Sequence, residues 1–344
     1  HLARHTDPHA ATDEVARTWI SRQLRDIRDS LAPDRLPGAV ILESIERAGY
    51  LDHVTHELRD LGMTGTTVLF GCRVDQLLRT QPVLERMLPE MDGGKGSMHL
   101  FTIGIENLSD AELQRLHKGF DALSVFRAVN LLKELEVRHP DCFHYSGYMP
   151  LSVILFTPWT TFEDLQINLR LIQHFDLELE TGNFFMARLR LHDDLAITAL
   201  AARDGVIVES VENALLLNRR KLFRPERAWR FLEPRLHPVN RIATRLSRDD
   251  SFAGDALYAR IQSRLAAHAP GGSGAGAWTR RRLMAVLLDV IDAAERSDEV
   301  LDEDTLLDRA LETWSRREQT ARSGTVRPRT YRLGHRRLSP GDYI

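Results

Sequence analysis

Apolar positions along the chain fall into two alternating patterns. Val15, Trp19, Ile20, Leu24, Ile27 and Leu31 recur at helical spacing and predict a helix over about 12–31. Pro37-Gly38 breaks it. Ala39-Val40-Ile41-Leu42 is a continuous apolar run too short for a helix, which predicts a strand buried on both faces. A helix over roughly 45–61 and a β-branched strand over 66–70 follow. The pattern repeats with a helix near 83–88, a strand over 99–105, helices near 110–117 and 124–137, and a strand over 151–156. Thr160 and Glu163 have capping-box spacing and open a helix to about His174. A strand over 184–191 and a short helix over 195–203 complete the series, with Gly205 as its C-terminal cap.

Five strands alternating with helices predict an α/β fold with a parallel sheet and right-handed crossovers. Periodicity does not separate an open doubly wound sheet from a barrel, complete or partial. Beyond about Ser210 the strand signal fades, and the segments 215–217, 229–232 and 258–265 read as helical or irregular. Pro270-Gly271-Gly272-Ser273-Gly274-Ala275-Gly276 reads as a flexible linker, followed by helices over about 279–296 and 304–317. The basic tail after Thr320 is expected to be loosely ordered unless it docks. The expected organisation is therefore an α/β domain over 1–209 and a helical C-terminal extension over 210–344, with a linker near 270–277.

Length and composition add bounds rather than identity. The 344 residues suffice for one large domain with an appendage or for two domains. With 46 basic and 49 acidic residues, no charge excess points to nucleic acid or an anionic membrane. No apolar run is long enough to span a bilayer, and no secretory signal is visible. The two cysteines, Cys72 and Cys142, lie seventy residues apart and have no metal-ligand spacing. Their scarcity suits a reducing compartment, so a cytoplasmic location is expected.

Ligands of parallel α/β folds bind at the C-terminal ends of strands. Those ends read Glu43-Ser44, then Gly71-Cys72-Arg73-Val74-Asp75, then Gly104-Ile105-Glu106-Asn107, then Thr157-Pro158-Trp159-Thr160-Thr161. The fifth strand carries Arg188 and Arg190 before His192-Asp193-Asp194. Glu43 and Glu106 suit an ammonium or ribose hydroxyls, and Arg73 suits a carboxylate. Each could equally be a solvated loop charge or a local cap. Trp159 could stack on a ligand or pack beneath its own loop. His53 and His56 read as a solvated helix face, as does Arg280-Arg281-Arg282. Gly93-Gly94-Lys95-Gly96-Ser97 lacks Walker spacing and precedes a strand, so it is not a phosphate loop. Ser109 and Ser146 lack a nucleophile-elbow context.

The order of these motifs resembles that of radical S-adenosylmethionine (SAM) enzymes over roughly residues 10–205. Thr102-Ile103-Gly104-Ile105-Glu106-Asn107-Leu108-Ser109-Asp110, with Leu113 and Leu116-His117-Lys118-Gly119 after it, is similar to the family's fourth-strand segment. Cys72-Arg73-Val74-Asp75 resembles the third-strand end. The segment 154–161, with Glu163-Asp164-Leu165 and Asn168, resembles the fifth-strand segment in a form closer to cobalamin-associated branches. The resemblance implies a partial (β/α)6 TIM-like barrel lacking its first strand, with SAM across the strand ends at a 4Fe-4S cluster. It implies SAM contacts from Glu43, Arg73 and Glu106, an electron donor such as a flavodoxin or ferredoxin, and in some branches cobalamin. Reductive cleavage of SAM would give a 5′-deoxyadenosyl radical acting on an unknown substrate.

One departure is large. The family's C-x-x-x-C-x-x-C is absent, and such clusters require thiolate ligands. The chain opens on His1, not Met, and its first helix starts where the family's helix follows the cysteine loop. The expectation is a fragment whose cysteine motif lies upstream and which, as written, performs no radical chemistry. A cluster-less barrel acting as a binding or scaffold protein is the alternative. A further alternative is an ordinary α/β enzyme using Glu43, Arg73 and Glu106 on another substrate.

Overall fold

Parallel strand pairing with intervening helices organises the chain as far as residue 191. The computed structural model describes residues 13–32, 38–42, 48–91, 96–145, 150–177, 181, 185, 187–208, 226–246, 252, 254–268, 278–322, 332–333 and 336–337. Two compact units are present. One comprises His1–Ile105, Lys118–Ser152 and Glu180–Gly182, and the other Glu106–His117, Val153–Leu179 and Asn183–Ile344.

The first unit contains helix α1 (Asp13–Ser30), strand β1 (Ala39–Leu42), α2 (Ala48–Asp60), β2 (Thr67–Arg73), α3 (Val74–Met91) and nearly all of β3 (Ser97–Glu106). β1 pairs in parallel with β2, and β2 with β3. The short α4 (Asp110–Arg115) belongs to the second unit, and α5 (Ala122–Arg138) returns the chain to the first. Two short strands then lie along β3, β4 (Phe143–His144) and β5 (Leu151–Val153). β4 pairs beside Met98 and His99, and the Ile103 amide further along β3 donates to the Pro150 carbonyl at 2.7 Å. A parallel bridge from Leu151 to Thr181 adds one more strand position. Val68, Phe70, Met98, Leu100 and Phe143 alternate onto a fully buried face. Each such side chain contributes roughly 1.5–3 kcal/mol when removed from water.

The second unit has a parallel bridge of its own, from Phe156 to Arg188. Helices α6 (Phe162–His174) and α7 (Ala196–Arg203) follow the strands. A small antiparallel pair joins β6 (Ile207–Val208) to β7 (Ala228–Trp229). Helices α8 (Leu236–Leu246), α9 (Ala256–Ala267), α10 (Arg280–Glu295) and α11 (Glu303–Arg322) form the rest. α10 packs against α6, α8 and α11. The rings of Trp278 and Trp314 lie 4.5 Å apart between centroids, and the Trp278 indole N–H donates to the Leu265 carbonyl at 2.7 Å. Among the described residues no helix is long and apolar enough to cross a membrane.

The α/β class and parallel sheet agree with the sequence pattern, and several details correct it. β1 is buried on one face only. Val40 and Leu42 are covered, but Ile41 is 55% exposed, because among the described strands β1 pairs with β2 alone and forms the sheet edge. α3 begins nine residues before the predicted start at 83, since Pro82 lies inside the helix rather than ahead of it. Proline in a helix interior removes one backbone hydrogen bond, a local cost that the buried face of Leu77, Leu84, Met87 and Leu88 offsets. The capping box is one residue later than predicted. Thr161 is the N-cap of α6 and Asp164 its N3 partner. Trp229 belongs to a strand rather than a helix. α8 is absent from the sequence pattern; its Pro238 stands in the first turn, where proline is tolerated. α7 ends as expected, with Gly205 in the left-handed region at φ 67°. The segment 270–277 lies outside the described residues, as does all of the tail after 322 apart from the strand pair at 332–333 and 336–337.

Candidate functional site

Of the three residues expected at the strand ends, Glu43 lies outside the described residues. Arg73 closes β2 and stays 44% exposed. Its Nε donates to Asp75 Oδ1 at 2.9 Å, and one Nη donates to the Lys118 carbonyl. The guanidinium sits 5.9 Å from the Phe120 ring centroid. Burial raises the Asp75 carboxyl, but its bonds to Arg73 and Arg79 outweigh that and hold it below the ordinary aspartate value. Arg73 is thus oriented by an acidic neighbour, with further N–H groups left to meet a ligand.

Glu106 closes β3 in an unusual backbone state. Its φ is 61°, in the left-handed region that residues with a Cβ seldom enter. Such strain costs on the order of 1 kcal/mol and must be held by its surroundings. The restraints are visible next door. The Glu106 carbonyl accepts from the Ile154 amide at 2.5 Å. Asn107, fully buried, donates to the Ile154 carbonyl at 2.9 Å and accepts from the Ser109 amide at 2.8 Å. Asn168 on α6 donates to Asn107 Oδ1 at 2.7 Å and accepts from the Leu108 amide at 2.8 Å.

The same loop leads into a buried polar network. Ser109 donates to Asp164 Oδ1 at 2.5 Å, while Asp164 Oδ2 accepts from the Thr161 amide at 2.9 Å and hydroxyl at 2.7 Å. On α4, Glu112 is fully buried. One of its oxygens accepts from Arg115 and the other from the Thr157 hydroxyl at 3.0 Å. Burial pushes the Glu112 carboxyl up from 4.5 to about 7, with Asp164 adding to the rise and Arg115 and Thr157 opposing it. Thr160 accepts from the Thr157 amide at 2.8 Å. Trp159 is packed at 7% exposure, and its indole N–H donates to Asp204 at 2.8 Å. That contact, before the pull of Arg203, holds the Asp204 carboxyl low.

Sequence reasoning missed Glu112, although a signal was there. Glu112 stands one turn after Leu108 and beside Leu113, both 1% exposed, and so on the apolar side of α4. A group titrating near neutrality invites a catalytic reading. The geometry argues otherwise. Acid–base work needs reach to a substrate proton, and both oxygens of Glu112 are already bonded inside the protein. The network fixes the loop that carries Glu106.

The segment 187–191, expected as part of a fifth strand, forms isolated bridges at Arg188 and Leu191 and presents a different face. Leu189 and Leu191 point into the core at 6% and 0% exposure, while Arg188 and Arg190 alternate onto the other side. Arg190 pairs with Glu226, and Asp193 pairs with Arg227 at 2.6 Å. An open cleft of about 430 Å³ lies between α1 and α2, lined by Arg17, Ser21, Arg25 and His53. It sits between helices, away from any strand end, and we assign it no role. His56 bonds the Asp52 carbonyl at 2.8 Å, as suits a helix face. Gly93, Gly94, Lys95 and Ser146 lie outside the described residues.

The fit to an iron–sulfur cluster fails on the chain's own residues. Both cysteines are buried. Burial drives the Cys72 thiol far up, with Asp75 adding to it, which opposes the thiolate that a cluster needs. Cys142 lies 3.5 Å from the Leu88 carbonyl as a weak donor. Among the described residues no group of His, Cys, Asp and Glu is arranged to hold a metal ion.

No family model matches the chain, and no curated protein sequence matches it. Among solved structures the chain is similar to the apo, selenomethionine-labelled cobalamin-dependent S-adenosylmethionine radical enzyme OxsB. The TM-score is 0.54 and the sequence identity 11%, with 90% of this chain and 51% of that chain covered. The chain therefore spans about half the length of the structure it matches. The family whose motifs the sequence resembles and the protein whose structure it matches belong to one class, the SAM radical enzymes. At 11% identity the likeness is one of fold, and nearly the whole of this chain has that fold.

Proposed function

We propose that this chain is the SAM-binding part of a radical SAM enzyme, a partial (β/α)6 barrel whose cluster thiolates come from residues outside the given sequence. The observation that carries the reading is the shared fold over 90% of the chain, reached independently of the motif order. In this reading Arg73 and Glu106 contact SAM, and Glu43 joins them. Arg73 offers the N–H groups that Asp75 and Lys118 leave over. The strained backbone of Glu106, in a loop fixed by Asn107 and Asn168, sets the direction in which its side chain leaves the strand end. Reductive chemistry belongs to the cluster, and with no cluster ligands in this chain we derive no step through it. Cobalamin, the substrate and an electron donor such as a flavodoxin or ferredoxin remain within the proposal.

The test is the gene upstream of the His1 codon. Three in-frame cysteines at C-x-x-x-C-x-x-C spacing are the expected result, and a start codon without them overturns the reading. A companion measurement is equilibrium dialysis of labelled SAM against the longest chain that the gene encodes. Arg73→Met and Glu106→Gln should each weaken binding about tenfold, the weight of one charge-assisted contact.

A second reading, a cluster-less binding or scaffold barrel, is favoured by the two buried thiols. It predicts the start codon near His1 and a stable, colourless protein.

A further inference from the structure

Among the described residues, Arg188 is a guanidinium whose hydrogen bonds are not all made. The residue is half-buried, and its Nε is buried with no hydrogen-bond partner. Desolvation works against its charge, and Glu226 only partly supports it. Glu226 is itself committed. Its side chain is 4% exposed and ion-paired with Arg190. The carboxylate that supports Arg188 is therefore one that Arg190 already holds. A buried charge without a full partner is costly, and proteins seldom keep one without a reason.

The geometry suggests what is missing. The Arg188 guanidinium stacks over the Trp229 ring, 5.3 Å from its centroid. A cation–π contact of this kind supports the charge without accepting a hydrogen bond, so it leaves the terminal N–H groups to meet a planar oxyanion. The platform is rigid. The Trp229 indole N–H donates to the Leu189 carbonyl at 2.9 Å, and Phe231 meets the ring edge-on at 5.0 Å. Arg188 is placed by its parallel bridge to Phe156, just before the Thr157-Pro158-Trp159 loop at the strand's C-terminal end. Strand ends of this kind are where α/β folds take their ligands.

We propose that Arg188, stacked on Trp229 and flanked by the Arg190–Glu226 pair, anchors an oxyanion of the ligand, a carboxylate or a phosphoryl group. The site stands on the second unit alone and does not depend on the SAM reading. Arg188 is the direct contact. Trp229 and Glu226 are positioning residues, one orienting the guanidinium and the other setting how much positive charge is left.

Thermal unfolding of the whole chain tests this at neutral pH and constant ionic strength, with chloride exchanged for phosphate or for acetate. A ligand that binds only the folded state raises the midpoint as its concentration passes Kd. The expected result is a midpoint rise with at least one oxyanion over chloride. A rise with phosphate points to a phosphoryl ligand, and one with acetate to a carboxylate. Arg188→Met should lose the rise while unfolding at the wild-type midpoint in chloride, because it removes an uncompensated charge. Glu226→Gln should bind the same anion several-fold more tightly, since it frees positive charge. The proposal is overturned if neither oxyanion shifts the wild type. It is also overturned if Arg188→Met fails to fold or unfolds early in chloride, or if Glu226→Gln weakens the anion response.

Discussion

Two buried polar clusters in the same unit contrast in how their charges are met. Around Glu112 and Asp164 every carboxylate oxygen has a donor, and Asn107, Asn168, Thr157 and Thr160 bond one another. Around Arg188 the supporting carboxylate, Glu226, is already held by Arg190, and a buried nitrogen of Arg188 is left over. The first cluster is closed and does its work in holding the fold. The second is open at Arg188 among the described residues. Burial and polarity alone do not separate a structural network from a binding site, whereas the balance of donors, acceptors and charge does.

The largest test of this contrast is the pH dependence of stability. Glu112 has a folded value of about 7 against an ordinary 4.5. Over that interval the folded state holds a proton that the unfolded state has released. The contribution is therefore full below 4.5 and is lost as pH rises through about 7. It is worth up to about 3 kcal/mol. Urea unfolding of wild type and Glu112→Gln across this range should show a falling difference in stability, and parallel curves would break the picture of a closed, desolvated carboxyl.

Asp164→Ala comes next. It removes the capping box of α6 and leaves the Ser109 hydroxyl without its acceptor, at a cost of about 2 kcal/mol. A loss under a few tenths in chemical denaturation would mean that the network is not cooperative. Trp159→Phe should cost about 1 kcal/mol through the lost bond to Asp204, read in the same assay. The smallest effect belongs to the open cluster. Arg188→Met should change anion-free stability by less than about 0.5 kcal/mol, as for a surface site, although the residue is half-buried. A cost like that of Asp164→Ala would make the two clusters alike and remove the contrast.

Much of the fold was legible in the sequence, because alternation of β-branched runs and helical stripes survives folding directly. Leu195 through Gly205 reads correctly since a left-handed glycine after a helix has few other uses. The misreadings share a cause, in that local signals were given weight that tertiary packing overrode. The helix predicted near 83–88 is in fact α3, whose buried side carries it through Pro82 from Val74. Thr160 was read as a cap, but its hydroxyl turns inward to the Thr157 amide and leaves capping to Thr161. Ile41 was read as core, but nothing in the run of residues 39–42 says which strand will stand at the edge. Of the candidate site, strand-end position pointed to Arg73 and Glu106, whereas nothing in the local pattern singled out Glu112. Whether a guanidinium is neutralised depends on residues far apart in the chain, here Arg188 and Glu226, which no local pattern brings together.

The left-handed backbone at Glu106 has a consequence for anyone engineering this protein. Glycine adopts that conformation without penalty, so Glu106→Gly would relieve strain, and a selection for heat resistance alone would tend to erase the side chain there. If Glu106 contacts a ligand as proposed, a selection that also demands binding would retain it. Position 106 is therefore a natural reporter in a mutational library, since its fate separates the pressure to survive from the pressure to work.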